Sequence, residues 1–128
     1  KAAFHHTISF HLDAVKEKPG TLLFSNDGTN FYLSRPVDGR MAFSRDGYLY
    51  TFDYYVEEGK SHDIRIECTN HITRLFVDGK LQDELKRVKR WIRDKEQHDY
   101  VQTLHFPLQQ AGKFKSRITN LKVENFVR

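Results

Sequence analysis

Asp63 and Glu67 are the two carboxylates whose spacing first invites acid–base chemistry. They share one parity of the run His62-Asp63-Ile64-Arg65-Ile66-Glu67-Cys68, with Arg65 between them. On an extended strand they stand ~13 Å apart along the chain. Cleavage of a glycosidic bond needs two carboxyl groups about 5–5.5 Å apart with retention of configuration, or about 6.5–9.5 Å with inversion. The run therefore reads as a solvated face on which one arginine is flanked by two acids. Glu57 and Glu58 precede Gly59 and read as wet loop acids. The sequence holds no nucleophile elbow and no phosphate-binding glycine loop.

Metal ligation is tested next by the seven histidines. His5 and His6 are adjacent and face opposite ways on a strand, and His5 and His11 are ~20 Å apart along it. There is no His-x-His, no helical histidine pair and no paired cysteine, so no zinc site is expected. Oxygen-rich Asn26-Asp27-Gly28-Thr29-Asn30 could offer ligands to calcium, although the needs of a turn already account for those residues. No cofactor is expected.

Binding chemistry is more plausible than catalysis. In Tyr48-Leu49-Tyr50-Thr51-Phe52-Asp53-Tyr54-Tyr55, alternation places Tyr48, Tyr50, Phe52 and Tyr54 on one face and Leu49, Thr51, Asp53 and Tyr55 on the other. The aromatic face reads as core, and Asp53 with Tyr55 on the polar face forms the candidate sugar contact. A second candidate is the basic stretch with Lys86, Arg87, Lys89 and Arg90, which could attract a polyanion. Asp94, Glu96 and Asp99 dilute its charge, and nucleic acid is not expected as a partner.

The elements that must position these residues read as strands. Phe4, His6, Ile8, Phe10 and Leu12 alternate with His5, Thr7, Ser9, His11 and Asp13, giving one core face and one wet face. Four Asp-Gly dipeptides, at Asp27, Asp38, Asp46 and Asp78, punctuate runs rich in Phe, Tyr, Ile, Val and Thr. That is the pattern of an all-β sandwich or barrel. Cys68, the single cysteine, shares the apolar parity of Ile64 and Ile66 and reads as a buried, inert thiol. Residues 86–100 form a long basic excursion in which Val88, Trp91 and Ile92 have a helix-like spacing, suggesting a helical turn or two pinned by Trp91. Strand pattern returns at Val101–Phe106 and again from Arg117 to Val127.

With 128 residues, 38% hydrophobic and 30% charged, the chain suffices for one domain with its own core. No apolar run approaches the roughly 20 residues needed to span a bilayer. The net charge of +4 is too small to select a partner. The abrupt start in a strand pattern suggests a fragment of a larger multidomain protein.

Three segments together resemble a laminin-G-like module of the concanavalin A-like lectin/glucanase superfamily. They are His6-Thr7-Ile8-Ser9-Phe10-His11-Leu12; Gly59-Lys60-Ser61-His62 through Leu75-Phe76-Val77-Asp78-Gly79-Lys80; and Gly112-Lys113-Phe114 with Ile118-Thr119-Asn120-Leu121-Lys122-Val123. The resemblance implies a jelly-roll sandwich of two antiparallel sheets over residues 1–128, with the first and last strands close together. Such modules usually carry Trp where this chain has Ser61, and some bind calcium. The related glucanases carry a Glu-x-Asp-x-x-Glu strand motif that is absent here. The phrase Val101-Gln102-Thr103-Leu104-His105-Phe106-Pro107-Leu108 followed by Gly112-Lys113-Phe114-Lys115 further resembles a terminal module of bacterial family 20 glycoside hydrolases, the β-N-acetylhexosaminidases.

The expectation is thus a noncatalytic accessory module of a secreted or cell-surface bacterial glycoside hydrolase. Its partner would be a glycan or the catalytic domain of the same chain. A purely structural brace without ligand, and a polyanion binder using Lys86, Arg87, Lys89 and Arg90, stand as alternatives.

Overall fold

The computed structural model describes residues 4–26, 29–34, 38–45, 48–69, 72–85, 88–92, 95–99, 109–110 and 114–127, all strand or connection with no helix among them. Among the described residues twelve strands follow one another: β1 (Phe4–Asp13), β2 (Leu22–Asn26), β3 (Thr29–Tyr32), β4 (Ala42–Arg45), β5 (Tyr48–Thr51) and β6 (Ser61–Cys68). Then come β7 (Thr73–Val77), β8 (Lys80–Leu85), β9 (Val88–Ile92), β10 (Lys95–Asp99), β11 (Gln109–Gln110) and β12 (Arg117–Val127). Two antiparallel sheets form a β-sandwich. One has the order β12-β1-β6-β7-β8 and the other β11-β2-β3-β4-β5. The first and last strands are hydrogen-bonded neighbours.

The alternation of β1 and β6 dictates their facing. Ile8 pairs with Ile66 and Phe10 with Ile64, and all four are buried together with Leu12, Cys68 and Leu75. Leu23, Phe24, Phe31 and Phe43 meet them from the other sheet. Phe10 and Phe24 touch edge to face across the sandwich, with ring centroids 5.8 Å apart, the geometry that brings a positive ring edge to a negative face. Leu23 and Phe24 are consecutive yet both buried, because the β2–β3 register shifts between Leu22 and Phe24 and leaves Leu23 as the extra residue. Such a bulge turns a residue that strict alternation would expose. Cys68 lies in the core as expected, its Sγ accepting from the Thr73 hydroxyl at 3.8 Å.

The Asp-Gly reading holds where the structure describes it. At Asp78-Gly79 both residues have positive φ, 52° and 80°, the conformation of a tight two-residue hairpin turn that suits the twist of β7 and β8. The Asp27-Gly28 and Asp46-Gly47 turns, the run Val101–Phe106 and the residues Lys86 and Arg87 lie outside the described residues.

The excursion is corrected. Val88–Ile92 and Lys95–Asp99 form a two-stranded antiparallel ribbon, with Val88 opposite Asp99 and Ile92 opposite Lys95. Three apolar residues alone suggest a helix there, too short a segment to nucleate without tertiary support. β-Branched Val88 and Ile92 suit an extended backbone, and cross-strand pairing satisfies the peptide groups. The Trp91 side chain, expected to pin the excursion, lies outside what is described.

Truncating a fully buried ring removes transfer free energy and leaves a cavity. Phe24→Ala is therefore expected to lower stability by about 3–5 kcal/mol. Urea unfolding followed by tryptophan fluorescence measures it, and a loss under about 1 kcal/mol would contradict the packing described.

Candidate functional site

The chain leaves β5 after Thr51 but keeps its alternation, so that Phe52 and Tyr54 are buried while Asp53 and Tyr55 face outward. Two backbone bonds hold this segment to Met41: Phe52 N–H donates to the Met41 carbonyl at 2.9 Å, and Met41 N–H to the Tyr54 carbonyl at 3.0 Å. Strand β8 fixes the Asp53 peptide from the other sheet. The Asp83 carboxylate accepts from Asp53 N–H at 2.7 Å, and Gln82 Nε2 donates to its carbonyl at 3.1 Å.

Asp53 and Tyr55 are thus brought to one place, and Arg40 joins them. Its Nε–H donates to the Tyr55 hydroxyl at 3.1 Å, and the guanidinium carbon lies 5.3 Å from the ring centroid. Arg40 also stands 3.9 Å from Asp53 and 3.6 Å from Asp38. Tyr55 remains 50% exposed. A half-open ring, a cation and an exposed carboxylate therefore converge, a set that combines stacking area with donors and acceptors. Arg40 had no signal of its own in the sequence, since it precedes Tyr55 by 15 positions and belongs to another loop.

A second polar group gathers at the end of β1 and the start of β6. His11 Nδ1 is 2.9 Å from Asp63 and its Nε2 is 3.1 Å from Asp13. Asp13 also accepts from the Ser61 hydroxyl. That bond is the largest cause holding the Asp13 carboxyl below its usual range, with His11 adding to it. Asp78 accepts from Asp63 N–H at 2.8 Å and meets His62 Nδ1 at 2.6 Å. The backbone bond, then the His62 bond, lower its carboxyl pKa. Tyr54 lies close by, its phenol pushed up to about 12 by burial and by Glu57 and Asp78. Glu57 is not merely wet, standing 3.7 Å from His62 Nε2 and 3.5 Å from Lys60.

The acids that first invited a catalytic reading take different partners. Asp63 engages His11, while Glu67 lies 3.3 Å from Arg74 and 3.8 Å from Arg65. Arg74 is shared with Glu84 on β8. Among the described residues no three His, Cys, Asp or Glu side chains are arranged to hold a metal ion. Of the proposed calcium loop, the Asn30 side-chain oxygen accepts from Ser25 at 2.7 Å, and Asp27 and Gly28 lie outside the described residues. Of the proposed polyanion site, Lys89 and Arg90 fall on β9 with side chains outside the description. No helix of the described residues is long and apolar enough to cross a membrane.

No protein-family model matches the chain, and no curated protein matches it either.

His11 yields a pH prediction. The bond to Asp63 leads the causes that raise its pKa above 6.5, with desolvation opposing and Asp13 adding to the rise. A raised folded-state pKa means stability that is fully present below about pH 6.5 and is lost as pH rises through the folded value. The stability difference between the protein and its His11→Gln variant should therefore be larger near pH 6 than near pH 9. Urea unfolding at both values checks this, and a difference independent of pH would contradict the assignment.

Proposed function

We propose that this β-sandwich is a noncatalytic, carbohydrate-binding accessory module of a bacterial glycoside hydrolase, with a β-N-acetylhexosaminidase as the narrower reading. The observation that carries the binding role is the convergence of half-exposed Tyr55 with Arg40 and Asp53. An aromatic face suits the C–H surface of a sugar ring, and charged groups beside it suit the hydroxyls. Hydrolysis would belong to the catalytic domain of the parent chain, and a secreted or cell-surface location follows from the same resemblance.

A bracing role is favoured by one separate observation. Leu121 and Val123, on one parity of β12, which is an edge strand among the described residues, are 48% and 43% exposed. Adjacent open apolar side chains on an edge strand suit contact with a neighbouring domain.

A glycan array at low and at physiological salt tests the proposal. Expected is salt-resistant binding to a neutral sugar, N-acetylhexosamines included. Tyr55→Ala and Arg40→Ala should each weaken it about tenfold or more, the size of one lost stacking or charged contact, while circular dichroism stays unchanged. Silence on the array from the folded protein would favour the brace.

A further inference from the structure

The outer face of the β12-β1-β6-β7-β8 sheet carries a cleft of about 400 Å³, lined chiefly by Ser9, His11, Asp63, Arg65, Phe76 and Asn120. Register explains why these side chains meet. Lys122, Ser9, Arg65 and Phe76 form one row across four strands. His11 and Asp63 form part of the next row. A bulge places Asn120 beside them with φ of 55°.

Arg65 is the centre of the cleft. Its guanidinium carbon lies 4.2 Å from the Phe76 ring centroid, so stacking holds the group and leaves the in-plane N–H edges for other partners. Its nearest carboxylate, Glu67, is 3.8 Å away and is claimed more closely by Arg74. The Asp63 carboxylate is already engaged by His11 Nδ1 at 2.9 Å. Arg65 is therefore the basic side chain of the cleft with the least close carboxylate contact, since His11 has two carboxylates within 3.1 Å. The Ser9 hydroxyl and Asn120 amide make no side-chain hydrogen bond among the described residues.

We propose that this cleft is a second ligand site, distinct from the Tyr55 cluster, for a sugar ring bearing a carboxylate. A planar guanidinium pre-oriented by stacking matches a carboxylate with two parallel N–H donors. The cleft falls within the ~300–1,000 Å³ range of small-molecule sites and is too large for a bare anion. Ser9, Asn120 and the exposed Asp63 oxygen then supply the mixture of donors and acceptors that ring hydroxyls require. Phe76 offers apolar surface beside the cation. A neutral sugar would leave the Arg65 fork without its matched acceptor pair.

The proposal rests on the reading of the protein as a glycan binder, and one titration separates the two. D-Glucuronate, D-glucose and acetate are titrated into the full chain and followed by nitrogen-15 and proton NMR. D-Glucuronate is expected to shift the resonances of Ser9, Arg65 and Asn120 and to bind about tenfold or more tightly than D-glucose at that place. Arg65→Gln should abolish those shifts. Asn120→Gly, which keeps the left-handed backbone without strain, should weaken them while the spectrum stays folded. Shifts confined to Tyr55 and Arg40 would overturn the second site and leave the glycan-binding reading standing. Acetate binding as tightly as D-glucuronate would overturn the sugar assignment. Silence from D-glucuronate at Ser9, Arg65 and Asn120 would overturn the second site, while the glycan array with its N-acetylhexosamines decides the Tyr55 reading separately.

Discussion

The pairing of β1 with β6, in the register that sets Phe10 opposite Ile64, is the constraint on which the rest depends. It sends Ile8, Phe10, Leu12, Ile64, Ile66 and Cys68 into the sandwich. The same pairing sends Ser9, His11, Asp63 and Arg65 outward. A slip of one residue in either strand would reverse that strand's set at once. Each large apolar side chain turned to water costs about 1.5–3 kcal/mol, so reversing three of them approaches the whole stability of an ordinary domain, about 5–15 kcal/mol. The core therefore selects the register, and the register places the polar groups of the outer face as a consequence.

Those polar groups contribute differently. Exposed ion pairs are worth about 0–1 kcal/mol each, so the pairs between Lys122 and Glu124 or between Arg65 and Glu67 add little to stability. Arg74 differs because it lies between Glu67 and Glu84 on flanking strands, all three side chains less exposed than Arg65. Like charges opposed across strands are unfavourable and opposite ones favourable, so the Glu67-Arg74-Glu84 row supports the register that the core selects. It also occupies Glu67 and thereby leaves Arg65 the freer cation.

Much of this was legible from residue order, and the limits have physical causes. Period-two alternation announced β1 and β6, the burial of Cys68 and the outward turn of Asp53 and Tyr55, because facing along a strand is a local property. Positive φ at Asp78 and Gly79 was announced by the dipeptide itself, since few other pairs adopt that turn cheaply. Arg40 beside Tyr55, and His11 beside Asp63, were not legible. Alternation tells which face a residue takes and not which strand lies next to it. The same limit explains the error at Val88–Ile92, where three apolar residues fit a helix and a strand alike and only pairing with Lys95–Asp99 distinguishes them. The bulge at Asn120, which helps shape the outer cleft, has no local signature beyond a residue type that tolerates positive φ.

The two candidate sites differ in how firmly the fold holds them, and that difference bears on what each can recognise. Tyr55 and Asp53 sit on a connection held by backbone bonds to Met41 and by Asp83 and Gln82 of the opposite sheet. A connection tied at several points can still adjust its side chains, which suits a ligand presenting varied hydroxyls. Ser9, His11, Asp63, Arg65 and Phe76 instead project from paired strands, where the ladder sets spacing between neighbours. Groups placed on strands are held more precisely than groups on loops, and a bidentate contact is sensitive to small displacements because both N–H vectors must align. A forked cation is therefore useful to recognition on the sheet, where stacking on Phe76 limits its rotation. Arg40, whose Nε–H is already directed to the Tyr55 hydroxyl, is better suited to orient the aromatic ring.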